Sequence, residues 1–376
     1  MKSLESYNAG EYINMGDYKS FIPSKIDEDW SWNDSKLNKL VSDANLQLGK
    51  LDGYAQQIPN VDLYIKMHVK VEANKSSRIE GTRTTLDEDL LSKADIDPEK
   101  RDDWQEVQNY VDAMNYGIER INEIPISTRL IKEIHSILMK NVRGKDKNPG
   151  EYRTSQNWIG GSRPGNAVYV PPIASEINNC LNDLEKFINN DKINTPDLVK
   201  IAMIHYQFES IHPFLDGNGR TGRIIIPLYL LNKGIITTPC FYISNYIEEN
   251  KNAYYDFLSR VRTNNDMISW IEFFLEATIE TAKTARVKFQ NILQFTKEVD
   301  QILPTLSVKY ENAKKVIDFL YIQPKASRIE IIEKTKIPDS TVNGIINELM
   351  RVNLINEITG FSRNKVYQFT KYIELF

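Results

Sequence analysis

Twelve consecutive residues, His212-Pro-Phe-Leu-Asp-Gly-Asn-Gly-Arg-Thr-Gly-Arg223, gather side chains that could do chemistry together. His212 can take a proton near neutral pH. Asp216 is a hard oxygen ligand suited to a magnesium ion. Gly217, Gly219 and Gly222 permit backbone angles that other residues resist, so consecutive N–H groups can converge on an anion. Arg220 and Arg223, three apart, offer fork-shaped donors that match phosphate oxygens. A polyphosphate, a metal and a general base are thereby provided for in one stretch.

The flanking segments hold this stretch in place. Asp197 to Ser210 reads as a helix whose Leu198, Ile201, Ala202, His205 and Phe208 recur on one buried face. Pro213 cannot continue that helix, and Asp216-Gly-Asn-Gly219 is turn chemistry. A second apolar helix, Ile224 to Leu231, ends at Asn232-Lys233-Gly234 with a C-cap signature, and its N-terminus adds partial positive charge. Taken singly, the histidine reads as a cap, Asp-Gly as a turn and the arginines as a solvated face. Taken together at this spacing they do not. The Gly-Lys-Ser/Thr ending of a P-loop is missing, which excludes that phosphate motif.

The stretch resembles the signature of the Fic family, His-Pro-Phe-x-Asp-Gly-Asn-Gly-Arg-x-x-Arg, at every fixed position. The lead-in His205-Tyr-Gln-Phe-Glu-Ser-Ile211 and Gly150-Glu-Tyr-Arg153 are similar to family segments as well. The resemblance implies transfer of AMP from ATP to a Tyr, Ser or Thr hydroxyl of a target protein or of the chain itself. In that reading His212 accepts the hydroxyl proton and Asp216 holds Mg²⁺ on the α/β phosphates. Gly217, Asn218, Gly219, Arg220, Thr221 and Gly222 cradle the nucleotide, and Arg223 orients its γ end.

The same resemblance changes the meaning of Ser76-Ser-Arg-Ile-Glu80-Gly81. On spacing alone, Glu80 is a solvated carboxylate at a helix C-terminus, with Gly81 as C-cap and Ser76 on the same face. Ser-x-x-x-Glu-Gly, however, is similar to the inhibitory motif of Fic proteins that carry their brake N-terminal to the core. This implies a Glu80–Arg223 ion pair that keeps ATP in an unproductive pose. Residues 157–172, with β-prone ends Trp158-Ile159 and Val168-Tyr-Val170, read as a hairpin. In the family the equivalent hairpin is a flap that lays the target beside the nucleotide through backbone hydrogen bonds. Ser244 to Tyr255 resembles the segment closing the adenine side, with Asn250 as the expected base contact; an ordinary capped helix start is the competing reading.

A chain of 376 residues has room for two or three domains. A formal net charge of −4 gives no global pull toward nucleic acid or anionic membrane. The two cysteines, Cys180 and Cys240, fit a reduced compartment and lack metal-ligand spacing. Met1 to Gly10 holds no signal-peptide core, and the longest apolar run is too short to span a bilayer, so a cytoplasmic protein is expected.

Residues 1–30 read as irregular and draped over a core. Helices follow at Trp32 to Tyr54 (stopped by Gly53), Val61 to Glu80, Trp104 to Ile121 and Ser127 to Met139, then a long one from Met267 to Leu303. The expected fold is mainly α: an N-terminal helical region (1–98), a Fic-type helical core with a hairpin flap (99–303) and a C-terminal domain (304–376). In the last, a capping box at Ser327 to Glu330, a helix from Val342 to Val352 and alternating stretches at 354–358 and 365–369 form a winged-helix pattern. From residue 301 onward eleven Lys/Arg face eight Asp/Glu. The recognition helix offers Asn343 and Asn347 but no arginine before Arg351, so DNA binding is not favoured. A homodimer is an expectation by analogy with the family alone.

Two further readings stay open on sequence. One is AMP removal, with Glu80 orienting a water. The other is a nucleotide-sensing winged-helix regulator without turnover; the unbroken signature argues against it.

Overall fold

The computed structural model describes residues 1–141, 148–360 and 364–376. In chain order the elements are β1 (Lys2–Ser3), β2 (Gly10–Asn14), β3 (Lys19–Pro23), β4 (Trp30–Ser31), α1 (Ser35–Ala55), α2 (Asp62–Ile79), α3 (Leu86–Asp89), α4 (Arg101–Arg120) and α5 (Thr128–Leu138). They continue with α6 (Ile177–Asn189), α7 (Asp197–Ile211), α8 (Asn218–Asn232), α9 (Ser244–Glu249), α10 (Lys251–Asn264), α11 (Met267–Ile302), α12 (Tyr310–Ile322), β5 (Lys325–Ser327), α13 (Arg328–Thr335), α14 (Asp339–Arg351), β6 (Asn356–Glu357), β7 (Val366–Gln368) and α15 (Thr370–Ile373). The fold is mainly α, as its apolar periodicity requires.

The two signature helices form the centre. Every residue of α7 from Leu198 to Ile211 is buried, so this helix is core on all sides. It packs between α6, α8 and α11, and the Trp270 indole of α11 donates to the Ala202 carbonyl at 2.8 Å. α1 lies along α11, and α2 runs beside α4 and α9. α5 packs on α4 and α8, closing the bundle around the signature.

Three expectations need correction. Residues 1–30 are not irregular: β2 and β3 form an antiparallel hairpin, and β1 pairs in parallel with β4. The hairpin is fixed from the core side, because the Phe21 N–H donates to the Val170 carbonyl and the Ser20 hydroxyl to Pro171. Gly53 does not stop the first helix, which continues to Ala55, since a single glycine costs only about 1 kcal/mol against this much packing. The C-terminal segment holds a third strand, β5, and its antiparallel sheet has the order β5-β7-β6.

That C-terminal segment leans on α2. Tyr64 of α2 meets Tyr321 edge-on at 4.9 Å, and His68 of α2 stacks on Phe289 at 4.5 Å while Phe376 closes its edge. Buried Lys325 of β5 pairs with Asp87 of α3 at 2.8 Å.

Candidate active site

α7 ends at His212, whose backbone is left-handed at φ 49° and ψ 59°. A histidine tolerates this conformation better than most residues, but it still needs support. Arg153 supplies it. The guanidinium donates to the His212 carbonyl at 2.9 Å and to the carbonyls of Ser155, Pro172 and Ile211, while the Arg153 N–H donates to Pro213. One buried cation thus ties the turn that carries the candidate base to both ends of the 157–172 segment. Burial lowers its pKa to about 10, which leaves it charged at neutral pH.

The 157–172 segment is a hairpin held by a single bridge, Ile159 to Tyr169. Trp158, Ile159 and Val168 remain exposed on it.

The glycine stretch is not the three-glycine loop expected from sequence. α8 begins at Asn218, so Gly219, Gly222 and both arginines lie in its first two turns. Only Gly217 has a positive φ, at 75°. The anion-binding feature is therefore the amino end of a 15-residue buried helix, with its unpaired N–H groups and dipole. The other two glycines serve closeness. A Cβ on Gly219 would lie 2.3 Å from Glu80 Oε1, and one on Gly222 would lie 2.5 Å from Glu209 Oε1. Asn218 staples the turn by accepting from the Phe214 N–H and donating to its carbonyl. The Thr221 hydroxyl donates to the Gly217 carbonyl, so it shapes the cradle from inside the helix.

Arg223 is held by the end of α2. Its Nε donates to Ser76 Oγ at 2.8 Å, and its Nη2 to the Ser76 carbonyl at 3.0 Å and to Glu80 Oε1 at 2.6 Å. Arg223 is buried, whereas 34% of the Glu80 side chain stays open to solvent. Burial alone would raise the Glu80 pKa, but the Arg223 charge outweighs it and the net shift is downward. Glu80 caps the end of α2 and Gly81 follows at φ 102°, a geometry that glycine adopts without strain.

Arg220 is not free to meet phosphate either. Its Nη1 donates to Glu106 Oε2 of α4 at 2.8 Å, a pairing with both side chains nearly buried. Arg220 Nη2 also stands 3.6 Å from Asp216 Oδ1. That carboxylate oxygen accepts from the Gly217 N–H at 2.6 Å, and the Asp216 side chain keeps 38% of its surface open.

His212 is half-buried, and burial with the Arg153 charge pushes its pKa down to about 4. It is therefore neutral at physiological pH and able to accept a proton. Asn250 sits at the break between α9 and α10 with its amide donating to the Tyr246 carbonyl. Near it, the Lys251 ammonium donates to the Ile79 carbonyl at the end of α2.

Sequence reasoning missed several supports. Glu106 lies on the buried face of α4 beside Val107 and Tyr110, where nothing local in the sequence announces its partner. His135 lies on an otherwise apolar face, where a lone histidine reads as core. It accepts from the Gly150 N–H at Nδ1, so Nε2 carries the proton and donates to the Asp216 carbonyl at 2.9 Å. Its ring stacks on Phe214 at 3.6 Å, and burial lowers its pKa to about 4. Glu209, one turn before His212, is buried with Oε1 unpartnered, and burial lifts its pKa to about 7 despite nearby Arg223.

Comparison with known proteins agrees with this geometry. Residues 38–119 match the Fic/DOC family N-terminal domain, and residues 125–230 match the Fic/DOC family domain itself. Protein adenylyltransferase Fic of Aedes aegypti is 29% identical over 246 residues, 64% of this chain and 44% of that protein. Its counterpart in Drosophila grimshawi is 26% identical over 306 residues, 81% of this chain and 56% of that protein. The chain therefore spans about half the length of these curated relatives. A Fic family protein from Desulfovibrio desulfuricans G20 aligns over 90% of this chain and 96% of its own at TM-score 0.54 and 21% identity. A Fic domain-containing signaling protein from Bacteroides thetaiotaomicron covers 68% of this chain and 97% of its own at TM-score 0.53 and 21% identity.

Proposed function

The chain belongs to the Fic/DOC family, and from its site we propose that it transfers AMP from ATP to a hydroxyl side chain of a protein, under restraint by Glu80. The observation that carries this reading is the pairing of buried Arg223 with Ser76 and Glu80, beside a neutral His212 at the mouth of a helix N-terminus. The curated relatives are named protein adenylyltransferase Fic, and the signature residues of this chain supply the groups that such a reaction requires.

The target hydroxyl oxygen attacks the α-phosphorus while its proton passes to the His212 ring. The P–O bond to the β-phosphate breaks in line, and pyrophosphate leaves. The free N–H groups at the start of α8 meet the charge that builds on the phosphate oxygens. Among the described residues no group of three His, Cys, Asp or Glu could hold a metal alone. A solvent-open Asp216 at the cradle suits Mg²⁺, which is commonly held by one or two carboxylates plus substrate phosphates. When bound, Mg²⁺ would neutralise charge shared by the α and β phosphates. Arg223 reaches the γ end only after Glu80 lets go, so the braked enzyme holds ATP poorly aligned.

The 157–172 hairpin, with one bridge and exposed apolar tips, supports a flap that pairs with a target backbone. Residues 310–376 read as a winged helix. Asn343 and Asn347 are exposed and line a recess of about 900 Å³ with Ser92, Asp95, Arg328 and Lys365, a mixed-charge lining that does not favour DNA. No helix among the described residues is long and apolar enough to cross a membrane.

Removal of AMP is the second reading, favoured by one feature: Glu80 rests directly over Gly219, at the cradle, with a third of its side chain open to water. Incubating wild type and Glu80→Gly with Mg²⁺ and ATP labelled at the α or γ phosphate separates the readings. Protein labelled from the α position only, more in Glu80→Gly and absent in His212→Ala, is expected. Label from the γ position overturns AMP transfer. No label from either position, with AMP released from a pre-modified protein by wild type only, selects removal.

A further inference from the structure

The last turn of α2 carries the side chains that hold Arg223, and a helix end frays unless it is tied down. Its final carbonyls, those of Ser76, Ser77, Arg78 and Ile79, have no donor within the helix. Each finds one beyond it. Ser76 accepts from Arg223 Nη2 at 3.0 Å, Ser77 from the Thr82 N–H at 3.2 Å and Arg78 from the Gly81 N–H at 3.0 Å. Ile79 accepts from the ammonium of Lys251, the first residue of α10.

The side chains of this turn are tied from the same neighbour. Glu248, in the last turn of α9, meets Lys75 Nζ and Arg78 Nε at 2.9 Å each. Only 18% of the Glu248 side chain is exposed, so one carboxylate largely out of water holds two cations. α9 is fastened to α2 at its other end as well, where Glu72 accepts from the Ser244 N–H at 3.2 Å and from the Ser244 hydroxyl. Glu72, Lys75 and Ile79 recur on one side of α2, so α9 and the start of α10 lie along it as a splint. At about 100° per residue, Lys75 and Arg78 point roughly opposite to Ser76 and Glu80. The turn therefore sits between the Arg223 cation and the Glu248 anion. The positive charges of Lys75, Arg78 and Lys251 also suit the negative end of the helix dipole.

We infer that Glu248 and Lys251 are positioning residues for the brake: they pin the last turn of α2 so that Glu80 stands over Gly219 and against Arg223. This rests on reading Glu80 as a brake. Glu80 is the C-cap of α2 and a third of its side chain is open to solvent, so its hold on Arg223 depends on the order of the turn beneath it. Glu248 and Lys251 supply that order in advance, and the ion pair then forms without the entropy cost of gathering a frayed end. Removing the Glu248 charge leaves both members of the Glu80–Arg223 pair in place but loosens their geometry. Arg223 is then released for a larger share of the time, and transfer rises.

The test measures α-labelled transfer from ATP and Mg²⁺ in the full chain for wild type, Glu248→Gln, Lys75→Met, Glu80→Gly and Glu80→Gly with Glu248→Gln. Glu248→Gln keeps shape and removes charge; Lys75→Met removes a partner from the α2 side and serves if the first variant misfolds. Transfer is expected to rise roughly three- to fivefold in Glu248→Gln and about twofold in Lys75→Met. In the Glu80→Gly background Glu248→Gln should change nothing, because no carboxylate is left to position. A residue that merely supports the fold would act alike in both backgrounds, and that result overturns the inference. A rise in Glu80→Gly with none in Glu248→Gln or Lys75→Met overturns it too, while the brake stands. No rise in Glu80→Gly overturns the brake. Hydrogen exchange without nucleotide then reads the positioning by itself. The amides of Glu80, Gly81 and Thr82 should exchange severalfold faster in Glu248→Gln and in Lys251→Met than in wild type, with α7 and α8 unchanged. Equal exchange at those three amides overturns the pinning whatever the transfer assay shows.

Discussion

Ser76 gives Arg223 two acceptors, its hydroxyl to Nε at 2.8 Å and its carbonyl to Nη2 at 3.0 Å, so the guanidinium is oriented before Glu80 adds charge. The proposed brake is therefore graded. Ser76→Ala removes one neutral acceptor of about 1 kcal/mol, and transfer of α-label is expected to rise roughly fivefold. Glu80→Gly removes the charge-assisted bond and should raise transfer by more than an order of magnitude. Equal effects from the two substitutions would mean that Ser76, not the carboxylate, restrains the arginine.

The same release should cost stability. Arg223 is buried, and Glu80→Gly leaves its charge without a counter-ion. Breaking a fully buried pair costs ~3–5 kcal/mol, but a third of Glu80 is open to solvent, so the low end or below, about 1–3 kcal/mol, is expected. Thermal denaturation without nucleotide should show Glu80→Gly melting below wild type, and ATP with Mg²⁺ should recover more of the difference in the variant. A variant more active yet equally stable would show that Arg223 finds another partner, with the Glu209 carboxylate a candidate.

Arg153 sets the geometry of the base from outside the signature. Arg153→Lys keeps the charge but offers a single ammonium where four carbonyls now converge on a planar fork. A shift of about 1 Å at His212 is expected to lower transfer in a Glu80→Gly background by on the order of 10²-fold. Nucleotide affinity, measured by calorimetry, should change far less, because the start of α8 does not depend on Arg153. Parallel loss of both would make Arg153 a general scaffold residue.

Much of this site was legible because its signals are local. The signature fixes a helix end, a turn and a helix start within a few residues, and the structure places His212, Asp216 and Arg223 there. The Ser327 capping box appears as read, because capping is decided within one turn. What escaped depends on distant chain. Glu106 meets Arg220 across 114 residues, and Arg153 reaches the carbonyls of 211 and 212 through tertiary folding alone. The hairpin at 10–23 reads as irregular in sequence because it lacks strong alternation of its own, and its second strand is anchored by the distant 170–171 backbone. The special backbone angles expected at Gly219 and Gly222 are absent for a similar reason: a Cβ there would crowd Glu80 and Glu209, neither of which neighbours them in sequence.

The acid response of the protein follows from its histidines. Burial lowers His68, His135 and His212 to about 4 and His205 to about 3. Unfolded, each would titrate near 6.5, so the unfolded chain binds more protons from about 6.5 down to 4 and stability falls as pH drops through that window. Glu209 and Asp89, lifted by burial to about 7, act in the opposite sense: they contribute stability at low pH that is lost as pH rises toward 7. Burial raises Glu72, Glu106, Asp112 and Asp183 in the same sense, so six carboxyls oppose the four histidines and each contribution is read by substituting its group. Glu209→Gln removes one opposing group, so its melting temperature should fall more steeply than that of wild type between about pH 6.5 and 5. Catalysis should tell a different story in the same range. With His212 neutral down to about 4, kcat/KM for Glu80→Gly should stay nearly flat from pH 7.5 to about 5.5, where an ordinary histidine would lose roughly tenfold. A tenfold fall over that interval, in protein still folded by circular dichroism, would place the essential base in a wetter setting than His212 occupies.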